Sequence, residues 1–299
     1  MVAQVSFQRT EQKFLVRPEV VPELVAALRE RLPVAEFIAG QPLTTVTSLY
    51  LDNDRADIYH LARTSRTEHI KLRVREYSYP DPAHPVPEEC WVEFKGRRGE
   101  EREKIRFCLA KRHLLPFLAG ADVAGAVTGN GDSRQLRHYA VIRDAVARLR
   151  LRPTLAVVYD RTAFEAPEGG LRVSVDARLR YHRVPRELDR MIEDVWASTF
   201  GTPEAWEPLA VLELKHAGAP PAWFGPLLEH FEVEGSRAFS KYVSAYERVH
   251  GPSWHPPQEA VVWDGCERRN GMGTEERWLS WRSSGPSGST SSARRPYLQ

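Results

Sequence analysis

Hydrophobic and polar residues alternate one by one through much of this chain. That is the pattern of strands whose side chains point in turn to two faces. It predicts strands over Phe7–Val16, Thr45–Leu51, His69–Tyr77, Glu89–Lys95, Arg102–Leu109, Thr154–Phe164, Leu171–Tyr181 and Leu209–Lys215. Between them the apolar spacing changes to the helical period. Helices are expected over Pro18–Arg31, Asp54–Thr64, Lys111–Leu118, Ser133–Leu149, Pro221–His230 and Ser240–Val249. Pro18 suits a first helical turn, and Asp54 and Ser133 suit N-caps or first-turn positions. From Pro252 the periodicity stops, and the chain ends in a Gly/Ser/Thr/Pro run that holds too little apolar surface to fold alone. The expected organisation is a folded domain over residues 1–251 and a low-complexity, disordered tail over 252–299. Trp254, Trp263, Trp278 and Trp281 are unusual in such a tail.

The polar faces of the strands are unusually cationic. Arg9, Glu11 and Lys13 share a face, with Phe14 and Val16 on the other. Lys71, Arg73, Arg75 and Tyr77 oppose Ile70, Leu72 and Val74, and Glu93 and Lys95 oppose Val92 and Phe94. Arg102, Lys104 and Arg106 oppose Ile105, Phe107 and Leu109, with Glu103 the exception on that side. Arg172, Ser174, Asp176, Arg178 and Arg180 oppose Leu171, Val173, Val175 and Leu179, and Glu213 and Lys215 oppose Leu212 and Leu214. An ordinary antiparallel sheet with one wet face explains the alternation. It does not explain the charge, because like charges facing each other across strands destabilise a sheet. A polyanionic ligand would relieve that repulsion. The expected fold class is therefore α+β, an eight-stranded antiparallel β-barrel with a charged lumen, surrounded by helices.

Composition narrows the chemistry. Lys and Arg number 42 against 40 Asp and Glu, a net charge of +2, so no global field marks a nucleic-acid coat protein and any anion site must come from local clustering. Cys90, Cys108 and Cys266 form no C-x-x-C pair, which points away from zinc and from a disulfide framework. A reducing cytoplasmic location is expected. No run approaches ~18 apolar residues and no signal peptide is evident, so no membrane span is expected. There is no Walker-type Gly-rich loop, no Ser-His-Asp or Cys-His set, and no metal-binding spacing among the ten histidines. Carboxylates do sit among the cations: Glu11, Glu93, Asp176 and Glu213. Cations for phosphate oxygens and carboxylates for a hard metal ion are what phosphoryl transfer requires. Taken singly, each lysine can equally be a solvent-facing strand residue, and Glu213 can equally be a salt-bridge partner of a nearby cation.

The motifs that carry these charges resemble a known family. They run E-x-K (Glu11–Lys13), S-x-Y-L-D (Ser48–Asp52), K-x-R-x-R-x-Y (Lys71–Tyr77), E-x-K (Glu93–Lys95) and K-x-R-F (Lys104–Phe107). They continue as Y-D-R-x-A-F (Tyr159–Phe164), R-x-S-x-D (Arg172–Asp176), E-x-K (Glu213–Lys215) and F-S-K-Y (Phe239–Tyr242). In this order the chain resembles the VTC domain of the triphosphate tunnel metalloenzymes, the CYTH-like superfamily. The resemblance implies a triphosphate tunnel and a polyphosphate polymerase that moves the γ-phosphate of ATP to a growing chain with Mn2+ or Mg2+. Its partners would be ATP and inorganic polyphosphate, with no nucleic acid. Carried over by position, it implies phosphate contacts by Lys13, Arg63, Arg73, Arg75, Lys95, Lys104, Tyr159, Arg161, Arg172, Ser240 and Lys241. Arg73, Arg75, Lys95, Arg161 and Lys241 would be catalytic, and Glu213 would hold the metal. The chain departs from the family at Ala238, often a basic residue there, with Arg237 next to it. No SPX-type sensor domain is recognisable, so coupling to translocation is not implied. Two alternatives stay open: a tunnel triphosphatase or polyphosphatase, in which water is the acceptor, and a non-catalytic polyphosphate or nucleotide sensor.

Overall fold

The computed structural model describes residues 9–251, apart from 66–67, 82–83, 100, 129–131, 185–194 and 236–237. Residues 7–8 of the expected first strand, Arg237 and the whole 252–299 tail lie outside the described residues. Strands β1 (Arg9–Val16), β2 (Leu43–Asp52), β3 (Glu68–Ser78), β4 (Glu89–Arg98) and β5 (Glu101–Ala110) come first. They are followed by β6 (Val127–Thr128), β7 (Arg152–Glu165), β8 (Leu171–Arg183), β9 (Ala205–Trp206) and β10 (Ala210–Ala217). The helices are α1 (Val21–Arg29), α2 (Asp57–Thr64), α3 (Leu114–Leu118), α4 (Ser133–Leu149), α5 (Trp196–Thr199), α6 (Phe224–His230) and α7 (Lys241–His250). The eight expected strands and six expected helices are all present; the helix over Ser133–Leu149 has the expected bounds, and the others differ by a few residues at one or both ends. The two-residue strands β6 and β9 and the four-residue α5 were not expected, because they are too short to display a period.

All pairings are antiparallel, in the order β1-β10-β8-β7-β2-β3-β4-β5-β6, with β9 on β8. The closed eight-stranded barrel expected from the charge pattern is not formed. The sheet curls into an open half-barrel whose edges stand 12 Å apart. Paired strands need a spacing of ~4.8 Å. Alternation reports which residues share a face, and that face is concave and charged as expected. It carries no information on whether the edge strands β1 and β6 meet.

The convex face is apolar and covered. Phe14, Val16, Val173, Val175, Leu212 and Leu214 from β1, β8 and β10 pack with Leu24 and Leu28 of α1 and Phe224 and Leu227 of α6. Under the other half, Tyr139 of α4 meets the rings of Phe107 and Phe117 at centroid distances of 5.3 and 6.1 Å. The central strand β2 is buried over most of its length on both faces, which erases the alternation there. One polar pair lies inside this layer. Glu76 of β3 and Lys111 are both essentially inaccessible and meet at 2.6 Å. Glu76 also accepts a hydrogen bond from the Trp196 amide at 2.9 Å, and the Lys111 ammonium lies 5.4 Å from the Trp196 ring centroid.

Two local details differ from expectation. Arg178 has a φ of 53°, at a register shift opposite Val158–Asp160. The extra residue of such a bulge reverses the facing of the strand beyond it. Arg178 and Arg180 accordingly join Asp160 and leave the face shared by Arg172 and Asp176. The start of α2 also differs, whereas in α4 Asp132 is the cap and Ser133 takes the first-turn position it was expected to suit. The α2 amides of Ile58 and Tyr59 donate to the Asp52 carboxylate at 3.0 Å each, while Asp54 pairs with Arg152.

Candidate functional site

The strand register builds rows of charge across the concave face. Tyr50, Arg73, Glu93 and Arg106 stand side by side on β2, β3, β4 and β5. The next row is Lys71, Lys95 and Lys104. Glu93 is the hub of the first row and is 2% exposed. The Arg73 guanidinium donates to Glu93 Oε2 twice, from Nε at 2.9 Å and Nη2 at 2.8 Å. Arg75, Lys104 and Arg106 approach the same carboxylate at 3.8, 3.4 and 3.8 Å. Burial raises the Glu93 pKa, but Arg73, Arg75 and Lys104 outweigh it and hold the carboxyl well below the usual range. Arg75 is further fixed by Ser48 Oγ, which accepts from Nε at 3.2 Å, and by the Tyr77 hydroxyl. One carboxylate among four cations leaves a large excess of positive charge.

A second hub is Asp176 on β8, fully buried. Arg161 of β7 forks onto it, with Nε to Oδ1 at 2.6 Å and Nη2 to Oδ2 at 2.8 Å. Lys241, the first residue of α7, donates to Oδ2 at 2.7 Å. Burial works against the Asp176 anion, and Arg161 and Lys241 reverse that effect. The Tyr159 ring lies beneath both cations, 5.4 Å from the Arg161 guanidinium and 4.8 Å from the Lys241 ammonium.

The curl joins the two ends of the sheet through side chains. Glu11 of β1 pairs with Lys13 at 3.1 Å and reaches Lys95 of β4 at 3.7 Å, on the far side of the concave face. Burial raises its pKa, but Lys13, Lys95 and Lys215 hold it at about 2. Glu213 lies one row along and pairs with Lys215. Burial raises the Glu213 pKa as well, and Lys215 brings it below the ordinary value. The N-terminus of α7 is pinned over the same face. Lys71 Nζ donates to the Oγ of its N-cap Ser240 at 3.0 Å, and Lys13 Nζ donates to the Phe239 carbonyl at 3.3 Å.

Lys13, Arg73, Arg75, Lys95, Lys104, Tyr159, Arg161, Glu213, Ser240 and Lys241 thus line one concave face. Two expected residues stand apart in their contacts. Arg63 is half exposed on α2 and pairs with Glu247 of α7 at 3.0 Å. Arg172 turns to Glu165 at 3.8 Å and to the ring of Phe37. Lys71, Arg106 and Tyr50 belong to the rows but were not among the expected site residues. The alternation already held the signal for Lys71 and Arg106, which share their strands' charged faces. Among the described residues, no three His, Cys, Asp or Glu side chains gather as a ready-made metal cage. A Mg2+-like ion held through substrate phosphates needs only one or two carboxylates, and Glu213 fits that smaller demand.

Comparison with known proteins places this architecture. The chain is 27% identical to the vacuolar transporter chaperone complex subunit 4 of Schizosaccharomyces pombe over an alignment of 298 residues, covering 87% of this chain and 40% of that protein. It is 23% identical to the subunit of the same name from Trypanosoma brucei brucei, covering 84% of this chain and 36% of the relative. The chain therefore spans about two fifths of the length of these curated relatives. A solved structure described as a putative adenylate cyclase from Bacillus halodurans aligns with a TM-score of 0.43 and 14% identity, over 77% of this chain and 93% of that one. That score is too low to carry an inference. The model of the VTC domain matches residues 8–250, from the first strand to the end of α7. With that match running through every row of the charged concave face, the chain belongs to the VTC domain family.

Proposed function

We propose that this domain is a metal-dependent polyphosphate polymerase that transfers the γ-phosphoryl group of ATP to the end of a polyphosphate chain. The observation that carries the reading is the convergence of Arg73, Arg75, Lys104 and Arg106 on the single carboxylate of Glu93. Such an excess of cations on a concave face suits a ligand dense in negative charge. In the reaction, a terminal oxygen of the acceptor chain bonds to the γ-phosphorus as the bond from that phosphorus to the β,γ-bridging oxygen breaks, and ADP departs. Arg73, Arg75 and Arg161 hold phosphate oxygens with the guanidinium donors that Glu93 and Asp176 leave over, and Lys13, Lys95 and Lys104 act as point charges along the chain. Lys241 carries both its own charge and the N-terminal amides of α7 to the triphosphate. Glu213 would hold Mn2+ or Mg2+, which when bound neutralises phosphate charge. Catalysis is then mainly positioning and preorganised electrostatics.

The test is incubation of the protein with ATP and Mn2+ or Mg2+, with and without a short polyphosphate primer, and gel analysis of the products. A ladder of long chains supports the polymerase. Phosphate release without a ladder converts it to a hydrolase, and binding without turnover leaves a sensor. Glu213→Gln is expected to abolish the response to added metal while tripolyphosphate binding persists. Equal metal response in both proteins would remove Glu213 from the metal site.

Lys71 supplies an independent readout. Burial, then Lys13, Lys95 and Arg73, push its pKa down from 10.5 to about 7. Between those two values the unfolded chain holds a proton that the folded chain lacks, so this residue makes stability rise with pH across that window. A polyanion beside the amine favours its charged form. Binding of tripolyphosphate slightly above neutral pH is therefore expected to take up a fraction of a proton. Calorimetry in buffers of different ionisation enthalpy reads that uptake, and Lys71→Met should remove it. The same uptake in the variant would assign the proton to another group.

A further inference from the structure

The basic face does not end at the rows that hold Glu93 and Lys95. One row further along β3, β4 and β5 stand His69, Arg97 and Arg102, directly paired across the strands in the same register. They keep the parity of Lys71, Lys95 and Lys104, so they share the concave face. Rows two residues apart are separated by about 6.8 Å along the strands. The register therefore sets three basic rows in line: Arg73 and Arg106 around Glu93, then Lys71, Lys95 and Lys104, then His69, Arg97 and Arg102. Among the described residues, the acidic residues of this hairpin end fall on the other parity. Glu68 pairs there with Arg98 at 3.8 Å, and Glu103 stands opposite Gly96. Among the described residues, neither Arg97 nor Arg102 forms a salt bridge; the Arg97 Nε donates to the Gly99 carbonyl at 2.9 Å. Two successive rows of facing cations destabilise a bare sheet. The positive field is strong enough to act on His69, where burial and then Lys71, Arg97, Lys95 and Arg102 push the pKa down to about 4.

We infer that the row His69–Arg97–Arg102 is a separate subsite for a linear condensed-phosphate chain, engaged by phosphate residues that lie beyond the triphosphate site. The inference rests on the proposed function for the identity of the ligand and adds where a chain longer than a triphosphate is held. ATP and tripolyphosphate, centred on Arg73 and Arg161, would not reach this row. A long chain running along β3 and β4 would pass it. The row thus separates binding of a long chain from binding of a nucleotide, a distinction that the rows around Glu93 do not provide.

The test uses the full chain and two probes, long-chain inorganic polyphosphate and tripolyphosphate, at several salt concentrations. The variant is Arg97→Gln with Arg102→Gln, which keeps polar side chains and removes the charge. Loss of each charge-assisted contact weakens binding about tenfold. Long-chain polyphosphate is therefore expected to bind the double variant roughly 100-fold more weakly, with a shallower dependence on salt. Tripolyphosphate affinity and the thermal midpoint should stay as in the parent. Unchanged long-chain affinity in the variant overturns the subsite, and so does an equal loss for both probes. Wild-type protein that binds tripolyphosphate but shows no preference for long chains also overturns the subsite, while the proposed function stands. Wild-type protein that binds neither probe overturns both.

Discussion

Replacing Arg73 by alanine is expected to lower ATP turnover by about 100- to 1000-fold, the loss typical of removing one preorganised donor from a charge-stabilising site. The structure separates this effect from unfolding. Arg73 is one of four cations around Glu93, and Arg75, Lys104 and Arg106 remain to neutralise that carboxylate. The thermal midpoint should therefore move little while kcat falls. Arg73→Lys keeps the charge but loses the fork that now grips Glu93 Oε2 through Nε and Nη2. It should recover part of the rate only, since a lysine supplies a point charge without two parallel bonds. Turnover in Arg73→Ala within a factor of two of wild type would place the chemistry away from Glu93.

The largest stability effect belongs to the opposite face. Glu76→Ala strips Lys111 of a carboxylate at 2.6 Å in a position that is 2% exposed. Removing one member of a buried ion pair costs about 3–5 kcal/mol. The variant also deletes the acceptor of the Trp196 amide. Its thermal midpoint should fall by roughly 10 °C. Replacing both members, as Glu76→Leu with Lys111→Met, should recover most of the loss, because a well-packed apolar pair takes both buried charges away together. A double variant no more stable than Glu76→Ala would show that the polar contacts around Trp196, and not the charge, set the effect.

These two sites also mark what could be read from the sequence. The concave face was legible because its residues recur every second position: Lys71, Arg73 and Arg75 on one strand, Lys104 and Arg106 on another. Strand parity then fixes the face without knowledge of the partner strands. The Glu76–Lys111 pair follows no local period. The two residues are 35 positions apart and meet only because β3 and the segment after β5 fold over the same convex layer. Arg178 and Arg180 were assigned to the charged face by parity, and a single left-handed residue overturned the assignment. Closure of the barrel failed for a related reason. It depends on the coil of the whole sheet, which side-chain alternation does not encode. Periodicity did not place α7 either; only the family resemblance put Ser240 and Lys241 with the charged strands. Ser240 and Lys241 are adjacent in sequence, yet one bonds to β3 and the other to β8.

The gap between the sheet edges bears on how a polymer gets in. A closed tube has to be threaded from a chain end, so it excludes ring-shaped phosphates and admits a long strand only by its tip. A trough with its two rims 12 Å apart imposes no such rule through its sheet. For the proposed polyphosphate ligand, a strand laid in sideways has only side-chain contacts such as Glu11–Lys95 to part, and it leaves again without being reeled back.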